Sequence, residues 1–259
     1  MSCKFPNSST NMIMYPTTKI MCSNYACNKI APTLSIDLSK SWTTSSVVIN
    51  EISKPAEMLG RASYRDPALY WHDSAKSLLL FGGDDYADQT PYEDPRSLWS
   101  FTPDNGDGSW AITTLQSKDF RWTRRPAGAN TLSGGVVVGG FNSNFAPQTI
   151  FSNMTIIGNT GSITRNLDIG PFEMGGAAYV KAQFIPNFGT GQGIIVYIGG
   201  LSQPGGADTK SLYPMSSIQM YDIGSKQWYT QTAGGDVPSG RWFHCMTGAQ
   251  ATGNRSYEM

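Results

Sequence analysis

Histidine is almost missing from this chain, with only His72 and His244 among 259 residues. That leaves little for imidazole-based acid–base chemistry or metal ligation. No Gly-x-Ser-x-Gly elbow is present for a serine hydrolase, and no His-Glu-x-x-His helix for a zinc protease. An excess of either charge is lacking as well: 19 Lys and Arg balance 19 Asp and Glu, and charged residues make up only 15%. A nucleic-acid or anionic-membrane role usually shows as a basic excess, so both are excluded as leading readings. No apolar run approaches the roughly 18–20 residues that span a bilayer. Cysteine is scarce at four residues, three of which (Cys3, Cys22 and Cys27) fall in the first 30, with Cys245 near the other end.

Glycine (28 residues) and aromatics (12%) are plentiful, and they recur in order. Leu78-Leu79-Leu80-Phe81 ends in Gly82-Gly83, Val136-Val137-Val138 in Gly139-Gly140, and Ile195-Val196-Tyr197-Ile198 in Gly199-Gly200. The pairs stand 57 and 60 residues apart, a period that signals a repeat architecture. Each run is too short for a stable helix and suits a strand buried on both faces. Each Gly pair marks a tight turn or a close backbone approach. Leu98-Trp99-Ser100-Phe101 leads through a polar, Gly-containing turn to Trp110, and Ile218-Gln219-Met220-Tyr221 leads through another to Trp228. Both read as hairpins, with Asn105-Gly106 and Asp107-Gly108 as turn residues. A fourth strand leading into each pair, as in Gly175-Gly176-Ala177-Ala178-Tyr179-Val180, completes a unit of four antiparallel strands. Such a unit is a propeller blade.

An apolar strand ending in Gly-Gly, an aromatic strand, a turn and then Trp together resemble the kelch repeat, over roughly residues 34–259. Ile36-Asp37-Leu38-Ser39-Lys40-Ser41-Trp42, Ile52-Ser53-Lys54-Pro55 and Ala68-Leu69-Tyr70-Trp71 are similar to the opening of secreted or cell-surface kelch proteins of fungi. The fold this implies is all-β: an incomplete kelch-type β-propeller over residues 31–259, preceded by an irregular segment over residues 1–30. Three full blades are expected, over about 64–115, 128–169 and 172–232, with a partial blade at each end. The middle one departs from the pattern, having no Trp near Thr164-Arg165-Asn166. Leu34 to Ile52 reads as the outer half of a blade, with Trp42 in the late-Trp position and its inner half expected from strands far along the chain. Pro238-Ser239-Gly240-Arg241-Trp242-Phe243-His244 resembles the Arg-x-x-His opening of a further blade, and His244 is expected to hydrogen-bond between blades. Kelch rings usually close with six or seven blades, so the reading frame is expected to be a piece of a longer protein.

In the first segment, Asn11-Met12-Ile13-Met14-Tyr15-Pro16 falls short of the about 7–15 apolar residues of a secretory signal. Either the protein is not secreted or its true start lies elsewhere. Cys22 and Cys27 read as a small disulfide loop or as plain thiols, and no His lies near enough to complete a zinc site. Asp84-Asp85-Tyr86-Ala87-Asp88 lacks the regular ligand spacing of a calcium loop and reads as a solvated loop. Arg121-Trp122-Thr123-Arg124-Arg125 reads as a surface loop whose arginines meet neighbouring carboxylates. Phe188-Gly189-Thr190-Gly191-Gln192-Gly193 precedes a strand, the opposite of a dinucleotide-binding context. His72 is expected exposed in a turn. Asn7-Ser8-Ser9, Asn153-Met154-Thr155 and Asn254-Arg255-Ser256 match the N-glycosylation acceptor pattern, which has meaning in the secretory pathway.

These readings lead to a non-enzymatic scaffold without cofactor or metal, which binds protein or cell-wall carbohydrate through blade loops. The fungal resemblance implies an extracellular or cell-surface location. An intracellular kelch adaptor is the alternative. A metal oxidase similar to galactose oxidase is the second alternative, but the paired Tyr and His ligands that it needs are not found in blade positions.

Overall fold

The three apolar runs do form strands, and each lies inside a sheet of four. The computed structural model describes residues 2–4, 11–15, 22–23, 26–27, 33–37, 41–43, 45–55, 68–72, 75–81, 97–104, 107–114, 123, 125–140, 154–158, 163–166, 170, 172, 178–201, 212–242, 244–251 and 256–259. The second sheet contains β7 (Ala68–His72), β8 (Ser77–Phe81), β9 (Ser97–Asp104) and β10 (Asp107–Thr114). The third contains β11 (Ala127–Thr131), β12 (Gly134–Val138), β13 (Met154–Gly158) and β14 (Ile163–Asn166). The fourth contains β15 (Lys181–Ile185), β16 (Ile194–Ile198), β17 (Ser217–Asp222) and β18 (Gln227–Thr232). In all three the strands pair antiparallel in chain order. No helix occurs among the described residues.

The first sheet is built differently. Its order is β1 (Ser2–Lys4), β2 (Asn11–Tyr15), β5 (Thr33–Asp37) and β6 (Ile49–Ile52). Between β2 and β5 the chain makes a small hairpin of β3 (Cys22–Ser23) and β4 (Ala26–Cys27), which sets Cys22 opposite Cys27. The segment expected to be irregular therefore holds four short strands, two of which join this sheet. Met12 pairs with Ile36 and Met14 with Leu34, so β2 takes the inner place expected for a distant strand. The Asn- and Met-rich composition hid this, because neither residue marks a strand as β-branched residues do. The last strands are β19 (Ala249–Gln250) and β20 (Tyr257–Glu258), a two-stranded pair beside the fourth sheet, where Gln183 Nε2 donates to the Tyr257 hydroxyl at 2.8 Å.

Burial follows strand position. Every residue of β8 and β12 is buried, and the outermost strand β18 is mostly exposed. This is why the Gly-pair strands read as unbroken apolar runs: both of their faces are covered. The first strands of successive sheets, β7, β11 and β15, pack side by side. Across the first of these junctions the Trp71 amide donates to Asn130 Oδ1 at 2.8 Å. The core lies in layers between neighbouring sheets. Tyr70, Leu79 and Phe81 meet Val137 and Ile157, and Ala127, Val138 and Met154 meet Ile195, Tyr197 and Tyr221. Gly135 is needed in the first layer, because a Cβ there would come within 2.7 Å of the Tyr70 ring.

Three local expectations change. Trp42 lies between β5 and β6, outside any strand, and is 43% exposed. His72 ends β7 and is half-buried instead of standing free in a turn. The strand expected at residues 175–180 starts later, at Lys181, because Tyr179 has a φ of 60° and breaks the extended chain. Ala178 makes only an isolated bridge to Leu201.

Candidate functional site where the inner strands begin

The Gly pairs that follow β12 and β16 share one backbone conformation. Gly139 and Gly140 have φ of 65° and 86°, and Gly199 and Gly200 have 65° and 93°. These are left-handed values that side chains avoid. At the second pair the reason is a close junction with the chain beyond β18. The Gly200 amide donates to the Arg241 carbonyl at 3.0 Å, and a Cβ on Gly199 would lie 2.6 Å from His244 Cε1. Arg241 and His244, expected at the opening of a further unit, are thus brought to the Gly pair of the preceding one. The hydrogen bond across this junction comes from the main chain of Arg241. Gly82 and Gly83 lie outside the described residues, as do Asn7, Asn153, Asn254, Asp84 to Asp88, Arg121, Trp122 and Arg124.

The late tryptophans also match. Trp110 pairs with Phe101 across β10 and β9, with ring centroids 5.1 Å apart and planes at 50°. Trp228 pairs with Tyr221 across β18 and β17, at 5.1 Å and 54°. Cross-strand aromatic pairs of this kind stabilise a sheet locally. Trp110 also reaches the first sheet through Thr33, and Trp228 meets Phe172 in the chain between β14 and β15.

The feature missed in the sequence is a row of side chains at the starts of the inner strands. Arg125 stands two residues before β11 and Tyr179 two residues before β15. Both are non-glycine residues with positive φ, 51° and 60°, outside the hairpin turns where Lys76, Asn187 and Lys226 have it. The Tyr179 amide donates to the Arg125 carbonyl at 3.1 Å, so one kink is tied to the next. The Arg125 guanidinium carbon lies 4.3 Å above the Tyr179 ring, a cation–π geometry. Tyr179 also meets Trp242 edge-to-face, with ring centroids 5.0 Å apart. Tyr179 is buried, whereas Arg125 and Trp242 keep partial access to solvent.

More positive charge lies close by. Lys181 pairs with Ile198, the residue before Gly199. The His244 imidazole is held below its usual range, first by burial and then by the nearby Lys181 and Arg241 cations, while the Ile198 backbone pulls weakly the other way. Lys181 and Arg241 thus bring their charge to the His244 ring. Neither Lys181 nor Arg241 forms an ion pair among the described residues. Backbone strain of this kind, about 1–3 kcal/mol per residue, persists where surrounding structure holds it and concentrates at functional sites. Sequence spacing gives no sign of it, because Arg125 and Tyr179 resemble ordinary loop and strand residues.

Away from this row, Asp222 locks the β17–β18 hairpin. Its carboxylate accepts from the Thr190 amide (2.8 Å), the Thr190 hydroxyl (2.6 Å) and the amides of Gly224 and Ser225 (2.9 Å each). Burial pushes its pKa up, but these hydrogen bonds outweigh that and bring it down to about 2. The glycine-rich loop at 188–193 thus serves as a brace for this hairpin. Among the described residues no group of three or more His, Cys, Asp and Glu is placed to hold a metal ion.

No family model matches this chain, and no curated protein matches it. Among 110 matching chains of solved structures is that described as the structure of YjhT, with a TM-score of 0.61 at 12% sequence identity, covering 99% of this chain and 78% of that one. At that identity the likeness concerns the fold. The described strands are compatible with a β-propeller-like arrangement of antiparallel sheets.

Proposed function

We propose that the chain is a kelch-type β-propeller that acts as a non-enzymatic binding scaffold, taking a protein or carbohydrate ligand where its inner strands begin. The observation that carries this reading is the row Arg125–Tyr179–Trp242, contributed by the starts of two inner strands and the chain beyond the fourth sheet. Strands supply a rigid frame, and the segments at their ends are free to carry recognition. The matching Gly-pair and Trp geometries support the kelch assignment of the sheets. The extracellular or cell-surface location rests on the fungal resemblance in the sequence.

The test is direct binding by the purified chain, with Trp242→Ala as the control. A panel of soluble glycans and peptides is titrated by calorimetry. The scaffold reading expects at least one saturable ligand whose affinity falls about tenfold or more in Trp242→Ala, as loss of an aromatic anchor does. Binding that ignores this substitution places recognition elsewhere, and turnover of a ligand contradicts a non-enzymatic role.

A further inference from the structure

We propose that the open edge of β18 is a self-association surface, where a second copy of this chain adds its own β18 antiparallel across a two-fold axis. β18 stands last in the fourth sheet, and all of its residues except Trp228 are exposed. Its inner edge is taken by β17, with Ser217 opposite Thr232 and Asp222 opposite Gln227. The Ala233 amide donates to the Ser216 carbonyl at 2.8 Å, which continues the same register. Hydrogen-bonded and non-hydrogen-bonded pairs alternate along an antiparallel ladder, so Tyr229 and Gln231, like Ala233, turn their main-chain groups to β17. Trp228, Thr230 and Thr232 therefore present theirs to the other edge, and no described residue bonds them there.

Charge is what singles out β18. The last strands of the other sheets carry Glu51 in β6, Asp107 in β10 and Arg165 in β14, the kind of residue that keeps a sheet edge from pairing. β18 reads Gln-Trp-Tyr-Thr-Gln-Thr, with no charge and no proline, and its aromatic and Thr residues favour the extended chain. On a two-fold axis at Thr230, the outward groups of the two copies match. Thr230 meets its counterpart, Trp228 meets Thr232 of the second copy, and Thr232 meets its Trp228. The exposed Tyr229 then lies opposite Gln231 of the second copy. None of these pairs sets like charges together, which is what an identical partner requires. A charged segment of another protein would find no opposite charge along this strand. Isologous pairing uses up both edges, so association stops at the dimer.

The experiment follows the mass of the whole chain by sedimentation velocity from about 5 to 500 µM, a range suited to the weak association of a small interface. The expected result is an equilibrium between monomer and dimer. Hydrogen exchange on the same samples locates the contact. The Trp228, Thr230 and Thr232 amides should slow about threefold or more as dimer accumulates, while Tyr229 and Gln231 exchange slowly at every concentration. Thr230→Pro removes an outward N–H without touching the β17 ladder, and should weaken the dimer about tenfold or more with far-UV circular dichroism unchanged. If that variant fails to fold, Thr230→Lys decides, because it sets two ammonium groups face to face on the axis. Its dimer should be lost at low salt and partly restored at high salt. A chain that stays monomeric throughout overturns the proposal, as does a dimer that ignores these substitutions or slows only amides elsewhere. Growth beyond the dimer overturns it too, since a two-fold edge closes on itself.

Discussion

Trp110 and Trp228 hold the same place in their sheets and do different work. Each lies on an outermost strand, about 5 Å from the aromatic residue opposite, with nearly the same tilt. Trp110 extends its indole N–H to Thr33 Oγ1 at 3.0 Å, which ties the second sheet to the first by a hydrogen bond. Trp228 has no acceptor for its buried indole N–H among the described residues, and it stands in an apolar cluster with Phe172, Tyr197 and Tyr221. Thr33 is the first residue of β5, and the first residue of the corresponding strand in the third sheet, β13, is Met154. Met154 belongs to the cluster against which Trp228 packs. Inside a sheet the repeat dictates the tryptophan. Between sheets, the tryptophan meets a hydroxyl in one case and an apolar cluster in the other.

The largest effect that separates the two should come from truncation. Trp228→Ala removes the centre of the aromatic cluster and is expected to cost about 3–5 kcal/mol, the range for large core residues. Trp110→Ala should cost less, because the buried cluster that Trp110 packs against, around Leu69, Leu80, Trp99 and Phe101, is the smaller of the two. Chemical denaturation of the two variants measures the gap, and equal losses would break the distinction. Next in size is Gly200→Ala, since a Cβ there would approach the Ala178 carbonyl and the Val180 amide at 2.7 Å, on a backbone with a φ of 93°. Strain and overpacking together are expected to cost about 2–4 kcal/mol, read from the same denaturation curves.

Asp222→Asn comes third, at about 1.5–3 kcal/mol for loss of a charged acceptor. Its signature is a pH dependence. The folded pKa of about 2 lies below the ordinary 3.8, so the stabilisation is fully present above about pH 4 and is lost as pH falls towards 2. Thermal midpoints should therefore converge between the native chain and Asp222→Asn as the medium is acidified through that window. A gap that stays constant would assign the hairpin brace to something other than the carboxylate charge. The smallest effect is Thr33→Val, which keeps the shape at β5 and leaves the Trp110 N–H without its acceptor. The expected cost is about 1–2 kcal/mol. No measurable change would make the two tryptophans equivalent after all.

Most of the sheet architecture was legible because burial leaves a mark on composition. Strands covered on both faces must be apolar, so β8, β12 and β16 are visible as runs, each followed in the sequence by a Gly pair. What could not be read depends on long-range pairing or on backbone conformation. The strands β1 and β2 join a sheet through partners in β5, and nothing in their own residues announces it. Trp42 carries the right residue in the right order yet lies outside the strands. The Arg125–Tyr179–Trp242 row is assembled from three separate units by two kinks, and kinks at arginine and tyrosine have no sequence signature comparable to Asn-Gly.

The central claim is that the fourth sheet meets the chain beyond it through the Gly199–Gly200 pair. It is tested most directly by nuclear Overhauser contacts between the His244 ring and Gly199, together with hydrogen exchange at the Gly200 amide. A cross-peak from the His244 Cε1 proton to the Gly199 Hα protons, with slow exchange at Gly200, is the predicted result, because the amide is bonded to the Arg241 carbonyl. Absence of the cross-peak, with Gly200 exchanging as fast as the exposed Gly234, would contradict the account.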